Sequence, residues 1–168
     1  MKSLFSFFLL LIGSITSAQD FNPTVVDSES GKPMLVGNCT LEAFKDTSFS
    51  WWWNSGYNIY DVDLNSVDSF AEELFDVDIT VVMGTWCSDS RREVPRLVKI
   101  LEEAGYDLQK LKIISVDRDK QCNEVNIKDL KIELVPTVIF YENGKELGRI
   151  VESPQQSLET DILKIIEG

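Results

Sequence analysis

The chain has 168 residues, with 16 basic and 28 acidic side chains and a formal net charge of −12 at pH 7. Because the acidic residues are spread along the chain, this charge disfavours binding to nucleic acid or to an anionic membrane surface. The sequence contains no histidine, which excludes His-based triads and removes the usual ligand of most zinc sites. We therefore expect no nucleic-acid partner, no metal and no cofactor.

Residues 1–18 have the pattern of a secretory signal peptide. Lys2 gives a positive start, Leu4–Ile12 is apolar, and Thr16-Ser17-Ala18 has the small residues of a cleavage site. The apolar run is too short for a comfortable membrane span. We expect export to the periplasm or the medium, with no stable membrane insertion after signal cleavage. An uncleaved anchor is the alternative.

The residue pattern predicts an aromatic-rich N-terminal extension over residues 19–58, packed on one α/β domain over residues 59–168. Prolines and glycines make residues 19–37 a predicted loop, and residues 40–53 are predicted to form a helix capped by Thr40. The patch around Trp51-Trp52-Trp53 is predicted to be core. An exposed ligand platform is the alternative, but three adjacent tryptophans cannot all face one way.

Within the domain, strands and helices alternate, which predicts a mixed sheet with helices on both faces. The dipeptide Asn143-Gly144 predicts a tight hairpin, so the last two strands should be antiparallel. The predicted strands are 59–64, 79–84, 111–116, 138–141 and 147–151. The predicted helices are 67–75, following a cap at Asn65 or Ser66, then 87–103 with a kink at Pro95, 124–130 and 158–166.

Cys87 is the candidate nucleophile because it stands where a buried strand ends and a helix begins. Unpaired N–H groups and the positive end of the helix dipole stabilise a thiolate at that position. Arg91 and Arg92 would add to this effect, and Asp89 would oppose it. Ser90 stands where a dithiol motif has its second cysteine. Its hydroxyl could donate a hydrogen bond to the thiolate, but it cannot attack a mixed disulfide.

A substrate captured on Cys87 must therefore be released by an outside thiol, by a second substrate cysteine, or by another cysteine of this chain. Cys122 is a candidate resolving thiol. If the strands 79–84 and 111–116 are parallel, it follows them at the same edge of the sheet as Cys87. The alternatives are an incidental loop cysteine and a disulfide with Cys39.

Residues 59–168 resemble the thioredoxin superfamily through four features in register. These features are Trp86 before the cysteine, Pro95 eight residues beyond it, Asp117 at the end of the next predicted strand, and Val135-Pro136-Thr137 opening the final hairpin. The segment from Gly84 to Pro95 is similar to secreted bacterial thioredoxin-like proteins, here with a single-cysteine CxxS motif.

The resemblance implies a thioredoxin-like fold in which Trp86, Val135 and Pro136 bind substrate beside Cys87. It implies that Pro136 is the family's cis-proline, which keeps a metal away from the thiolate, and that Val135 offers its backbone to an extended substrate. A proline that merely starts an edge strand is the alternative.

Two departures from the family pattern affect the predicted chemistry. Ser90 replaces the second motif cysteine, and Val81 occupies the site where thioredoxins often bury a carboxylate that moves protons. Both departures argue against efficient disulfide reduction.

The sequence thus predicts an exported thiol-disulfide oxidoreductase or isomerase that forms mixed disulfides through Cys87, with protein or small thiol and disulfide substrates. Two alternatives remain open. One is a non-catalytic binding or scaffold module that uses the groove beside Val135-Pro136 and has an unreactive Cys87. The other is a dithiol enzyme that uses Cys87 and Cys122.

Overall fold

The structure is a computed structural model that describes residues 21–122 and 125–168. The signal peptide predicted at residues 1–18 lies outside the described residues. Within the described ranges the strands are β1 (Thr24–Val26), β2 (Pro33–Leu35), β3 (Gly37–Cys39), β4 (Val77–Met83), β5 (Lys112–Ser115), β6 (Thr137–Glu142) and β7 (Lys145–Val151). The α-helices there are α1 (Thr47–Ile59), α2 (Leu64–Asp68), α3 (Ser88–Glu103) and α4 (Leu158–Glu167), with 3-10 helices at Leu41–Lys45, Glu73–Asp76 and Lys128–Leu130.

Five strands form one mixed sheet in the order β3-β5-β4-β6-β7. Strands β4 and β5 are parallel, and the other neighbouring pairs are antiparallel. Asn143 and Gly144 join β6 to β7 with φ values of 50° and 77°, the left-handed conformation that a tight hairpin turn requires. The mixed sheet flanked by helices confirms the predicted α/β fold class.

The two faces of the sheet are covered differently. Alternate residues of β4 point to opposite faces, so Val81 and Met83 join the larger core while Val82 joins a smaller one. All four α-helices contribute side chains to the larger core. The smaller core is closed by the chain between β5 and β6. There the helix predicted at 124–130 is reduced, in its described part, to the 3-10 helix Lys128–Leu130.

Helix α1 packs closely on α3 because Gly56 has no side chain. A Cβ added at Gly56 would lie only 2.6 Å from the Cγ atom of Pro95. Pro95 is inside α3, as predicted. Its ring removes the backbone bond to the carbonyl of Arg91, and that carbonyl also faces Gly56, at 3.4 Å from the added Cβ.

The strand predicted at 59–64 is wrong. Ile59 ends α1, and the Asp63 side chain caps α2 by accepting the backbone N–H of Ser66, so the capping residue is neither Asn65 nor Ser66. The hydroxyl of Tyr60 donates to Glu159 of α4 at 2.9 Å. This bond holds the segment between α1 and α2 against the larger core. A cap and a distant hydrogen bond therefore override the alternating pattern.

The edge of the sheet is formed instead by β3, which lies within the predicted extension and pairs antiparallel with β5. Strands β1 and β2 pair as a hairpin where a loop is predicted. Helix α1 begins after the cap Asp46 rather than Thr40. The helix predicted at 67–75 is divided into α2 and the 3-10 helix Glu73–Asp76. The division into residues 19–58 and 59–168 stays a prediction.

The aromatic patch is core for two of its three tryptophans. Trp52 is buried, and Trp53 stacks on Phe44 with ring centroids 4.1 Å apart. Trp51 is 65% exposed, because one turn of a helix directs three consecutive side chains in different directions. The core prediction is wrong for Trp51.

Candidate active site

Cys87 lies at the junction predicted from the sequence. Strand β4 ends at Met83, and Cys87 is the N-cap residue of α3 in an extended conformation. Its side chain is partly exposed, and the thiol Sγ donates to the backbone oxygen of Val135 at 3.1 Å. The sulfur therefore lies between the start of a helix and the segment that precedes β6.

Val135 and Pro136 stand beside Cys87, as the resemblance implies. The Val135–Pro136 peptide bond is cis. Val135 is buried, whereas the preceding Leu134 is 42% exposed. The structure thus brings Cys87 together with the segment that was predicted to receive an extended substrate.

Ser90 is fully buried, and its Oγ accepts the backbone N–H of Gly84 at 3.2 Å. This bond ties the first turn of α3 to the end of β4. Among the described residues, the hydrogen bond of Ser90 is to Gly84 rather than to the Cys87 thiol. The predicted role of Ser90 in supporting a thiolate stays a prediction.

Arg91 is the cation that acts on Cys87. Its Nε donates to the carbonyl oxygen of Thr85 at 2.5 Å, which holds the guanidinium beside the loop that carries the cysteine. Burial lowers the pKa of Arg91, and charge attraction to Cys87 opposes that shift.

Arg92 was expected to support the thiolate as well, and the structure assigns it to other partners. Its guanidinium pairs with Asp89 at 2.7 Å and with Glu93 at 2.5 Å. These contacts satisfy Arg92 along the side of α3. They also neutralise Asp89, the carboxylate expected to oppose a thiolate at Cys87.

Trp86 is fixed from three directions. Its indole Nε1 donates to the backbone oxygen of Val116 at 2.9 Å. Its ring lies over Gly84, where an added Cβ would be 2.6 Å from the indole Cε2. The guanidinium of Arg118 lies 5.3 Å from the ring centroid, within the range of a cation–π contact. The residue before the nucleophile is therefore held rigidly.

Arg118 in turn is held by the first hairpin of the chain. Its Nε and Nη2 donate to the two carboxylate oxygens of Asp27, both at 2.8 Å. The pKa of Asp27 is held well below its usual range, chiefly by these Arg118 contacts. The backbone N–H of Leu35 also donates to Thr85 Oγ1 at 3.1 Å. The hairpin β1–β2 therefore supports the loop that carries Trp86 and Cys87.

The sequence analysis missed Asp27 and Arg118. The two residues are 91 positions apart, and neither lies in a local pattern that indicates a site. A buried acidic residue in a hairpin turn leaves no trace in the periodicity of hydrophobic residues. Only the pairing of elements distant in sequence makes it visible.

Cys122 lies in the smaller core, against which Trp86 and Cys87 also pack. Strands β4 and β5 are parallel, so the chain leaves both of them at the same edge of the sheet. Cys122 is buried and is a free thiol. Its role as a resolving thiol stays a prediction.

The described part of the chain holds no group of three acidic or cysteine side chains placed to bind a metal ion. In the same residues, every helix is too short or too polar to cross a membrane.

The mixed sheet, the cysteine at a helix start and the adjacent proline segment define a thioredoxin-like α/β protein. Residues 61–164 match the family model for thioredoxin. The chain belongs to the thioredoxin family, which confirms the resemblance at the level of the family and its fold.

Known relatives share about half of this chain. The thioredoxin of Mycolicibacterium smegmatis is 28% identical over 87 residues, covering 50% of this chain and 75% of that protein. The chloroplastic thioredoxin Y of Oryza sativa subsp. japonica is 28% identical over 85 residues, covering 51% of this chain. The match covers only 48% of the rice protein's own length.

Among solved structures, a protein of unknown function from Pseudomonas aeruginosa has the same fold. It aligns with a TM-score of 0.59 and 16% identity, covering 79% of this chain and 93% of the other. That alignment extends well beyond the half of the chain that the two sequence relatives cover.

Proposed function

We propose that this protein is an exported thiol-disulfide oxidoreductase or isomerase that acts through the single nucleophile Cys87. Membership in the thioredoxin family supports thiol-disulfide chemistry. The observation that carries the proposal is the position of the Cys87 Sγ, partly exposed at the start of α3 and 3.1 Å from the Val135 oxygen. The sulfur there is at the N-terminus of a helix, and the Arg91 guanidinium acts on it electrostatically.

The first step is attack of the Cys87 thiolate on one sulfur of a substrate disulfide. The bond between Cys87 and that sulfur forms as the substrate S–S bond breaks. The leaving sulfur takes the electron pair and then a proton from water. An extended substrate segment lies along the backbone of Val135, and Trp86 bounds the site on the other side.

The second step depends on a thiol from outside the motif. Ser90 cannot displace the captured substrate, so a second substrate cysteine or a small thiol attacks the substrate sulfur and returns Cys87 as a thiolate. If the attacking thiol belongs to the substrate, the result is a rearranged disulfide with no net oxidation. Val81 is fully buried in place of a carboxylate. Isomerisation or monothiol exchange is therefore favoured over net reduction.

The decisive experiment is to let the protein react with a peptide disulfide and then to measure the mass of the intact protein. The native protein and Cys122→Ser should each gain the mass of one peptide, and Cys87→Ser should gain none. Because serine is close in size to cysteine, the variant keeps the fold and loses only the nucleophile. An adduct on Cys87→Ser, or none on the native protein, would contradict the proposal.

Export is supported by the residue pattern of positions 1–18. When the full chain is expressed in a bacterial host, we expect the mature protein outside the cytoplasm, with Gln19 at its N-terminus by mass spectrometry. A full-length chain retained in the membrane fraction would instead favour an uncleaved anchor.

A second candidate is a dithiol mechanism that uses Cys87 and Cys122, favoured by their packing around the same apolar core. Mild oxidation followed by digestion distinguishes the two mechanisms. A peptide pair joined through Cys87 and Cys122 supports the dithiol mechanism, and its absence supports the single-cysteine one. If Cys87→Ser captures the same partners as the native protein without a covalent bond, the protein is a binding module.

A further inference from the structure

A cavity of about 530 Å³ opens between α1 and α3. Its wall has an unusual composition for a protein with a net charge of −12. It includes the arginines Arg91, Arg92 and Arg96, and the aromatic residues Trp51, Trp52 and Tyr60. We call this cavity the arginine pocket.

The arginine pocket begins at Ser88, the residue after Cys87, while Cys87 itself is not part of its wall. Its wall includes Ser88, the residue after the cysteine, and Arg91, one turn further along α3. Arg91 also interacts electrostatically with Cys87. A ligand that contacts Arg91 would therefore lie within electrostatic range of Cys87.

Two buried donors belong to residues of the pocket wall and have no acceptor among the described residues. Trp52 is 5% exposed, and its indole Nε1 is buried without a hydrogen-bond partner. The Nε of Arg96 is also buried without a hydrogen-bond partner among the described residues. The Arg96 guanidinium lies 5.2 Å from the centroid of the Tyr60 ring. Buried donors in folded proteins are normally paired, so these two leave hydrogen-bonding capacity unused in residues of the pocket wall. A carboxylate offers two oxygens, each able to accept more than one bond.

The local charges favour a small acid. The described ion pairs join Asp89 to Arg92, and Glu93 to both Arg92 and Arg96 at 2.5 Å and 3.5 Å. None of these described ion pairs includes Arg91, on which Asp27 acts only over a longer range. Asp61 also lines the pocket and disfavours a polyanion. These charges fit a carboxylate better than a phosphate-rich ligand.

We propose that the arginine pocket binds the carboxylate of a small anionic disulfide and so selects the substrate of Cys87. The proposal rests on the thiol exchange proposed above. Exposed Trp51 offers an apolar surface for the short aliphatic part of such a molecule. When the thiolate attacks, the half that becomes bonded to Cys87 keeps its carboxylate in the pocket. The other half leaves as a thiolate and takes a proton from water.

The test compares three aliphatic disulfides that differ chiefly in charge. The probes are 3,3′-dithiodipropionate, which is anionic, bis(2-hydroxyethyl) disulfide, which is neutral, and cystamine, which is cationic. The rate constant for each adduct on the reduced Cys122→Ser protein is measured by intact mass. The net negative charge of the chain repels anions, so without a pocket the anionic probe should react more slowly than the neutral one. We expect it to react faster.

The matched variants are Arg91→Gln, Arg96→Gln and the control Lys145→Gln. Each removes one positive charge, but Lys145 is exposed at the hairpin end of β7, at the opposite end of that strand from Pro136. We expect the ratio of anionic to neutral rate constants to fall about tenfold in Arg91→Gln and about fivefold in Arg96→Gln. The control should leave the ratio unchanged. The proposal is overturned if the ratio of rate constants falls equally in all three variants. It is also overturned if the anionic probe reacts more slowly than the neutral one with the protein that carries none of these three substitutions.

A binding measurement separates this proposal from the thiol chemistry. The thioether 3,3′-thiodipropionate has the same carboxylates but cannot exchange. It should change the tryptophan fluorescence of Cys87→Ser in a saturable way, and adding Arg96→Gln to that variant should raise the half-saturation concentration about fivefold. If no probe forms an adduct but the thioether binds, the proposed function fails and the pocket stands. If the adducts form but the thioether leaves the fluorescence unchanged, the pocket proposal fails alone.

Discussion

Cys87 separates two regions with opposite character. On one side it packs against the smaller core, which consists of Val82, Ile114, Val116, Cys122, Ile127 and Val135. The arginine pocket begins at the next residue along the chain, Ser88, and has charged walls and two buried donors without an acceptor among the described residues. The first region is filled by its own side chains and fixes the sulfur. The second is open and leaves polar groups for a ligand. Stability and selectivity are thus expected to respond to substitutions on different sides of the same residue.

The largest effect on stability should come from breaking the smaller core. Ile114 is fully buried, so Ile114→Ala should lower the free energy of unfolding by about 2–5 kcal/mol. Urea denaturation measures this loss, with the exposed Val151→Ala as control. The loosened core should also expose Cys122, so its alkylation should become faster. An unchanged alkylation rate would mean that the smaller core does not protect this thiol.

A smaller effect should follow from separating the helices that form the arginine pocket. In Gly56→Ala the added methyl group meets the ring of Pro95 at 2.6 Å. Overpacking costs about 1–3 kcal/mol, and the higher helix propensity of alanine offsets up to about 1 kcal/mol. We expect a net loss of about 1–2 kcal/mol in urea denaturation. The preference for the anionic disulfide should also fall. Stability at or above the native value would show that α1 can shift freely.

The hairpin β1–β2 supports Trp86 through Asp27, and its contribution to the free energy of unfolding should depend on pH. The Arg118 guanidinium holds the pKa of Asp27 well below its ordinary value of 3.8, so above about pH 5 the carboxylate is ionised whether the chain is folded or unfolded, and its Arg118 contacts contribute fully. Below pH 3.8 the unfolded chain takes up the proton first, and this contribution is lost as pH falls toward the lower folded pKa.

The comparison is between the native protein and Asp27→Asn, by urea denaturation at about pH 6 and about pH 3. The native protein should be the more stable at the higher pH, and the gap should narrow at the lower one. A gap that is constant with pH would indicate that Asp27 contributes by packing rather than by its charge.

The smallest effect on stability should come from Trp51, which is the exposed wall of the arginine pocket. Trp51→Ala should change the free energy of unfolding by no more than about 0.5 kcal/mol, as for other surface positions. It should still lower the rate with the anionic disulfide about twofold, because the aliphatic part of the probe loses its apolar contact. A stability loss like that of Ile114→Ala would place Trp51 in the core instead.

The parts of the fold that the sequence predicts are those set by local patterns. The apolar run before Cys87, the helix that follows it and the Asn143-Gly144 hairpin all appear within a short window of sequence. The strand predicted at 59–64 fails because a cap at Asp63 and the Tyr60–Glu159 bond, across 99 positions, decide the conformation there. Edge strand β3 has only three residues, too few for an alternating pattern to show.

The candidate site divides in the same way. Cys87 and Ser90 are visible in the sequence because they belong to one motif, and Pro136 is visible through resemblance. The support of Trp86 by Arg118 and Asp27 has no local signal. The arginine pocket combines side chains from two helices, and Trp52 differs from Trp51 only in the direction it points. Such features depend on how distant elements pack.

The pairing of β3 with β5 has a consequence for how the chain matures. Cys39 of β3 aligns with Ile113 of β5. Strand β3 therefore stays unpaired until the second half of the chain has been synthesised. Strand pairs that bridge so much sequence form late, because the intervening loop must first be closed. A product that stops before Lys112 would leave β3 and one edge of β4 without the strand β5 that pairs with both, and proteases or neighbouring strands would meet these edges first.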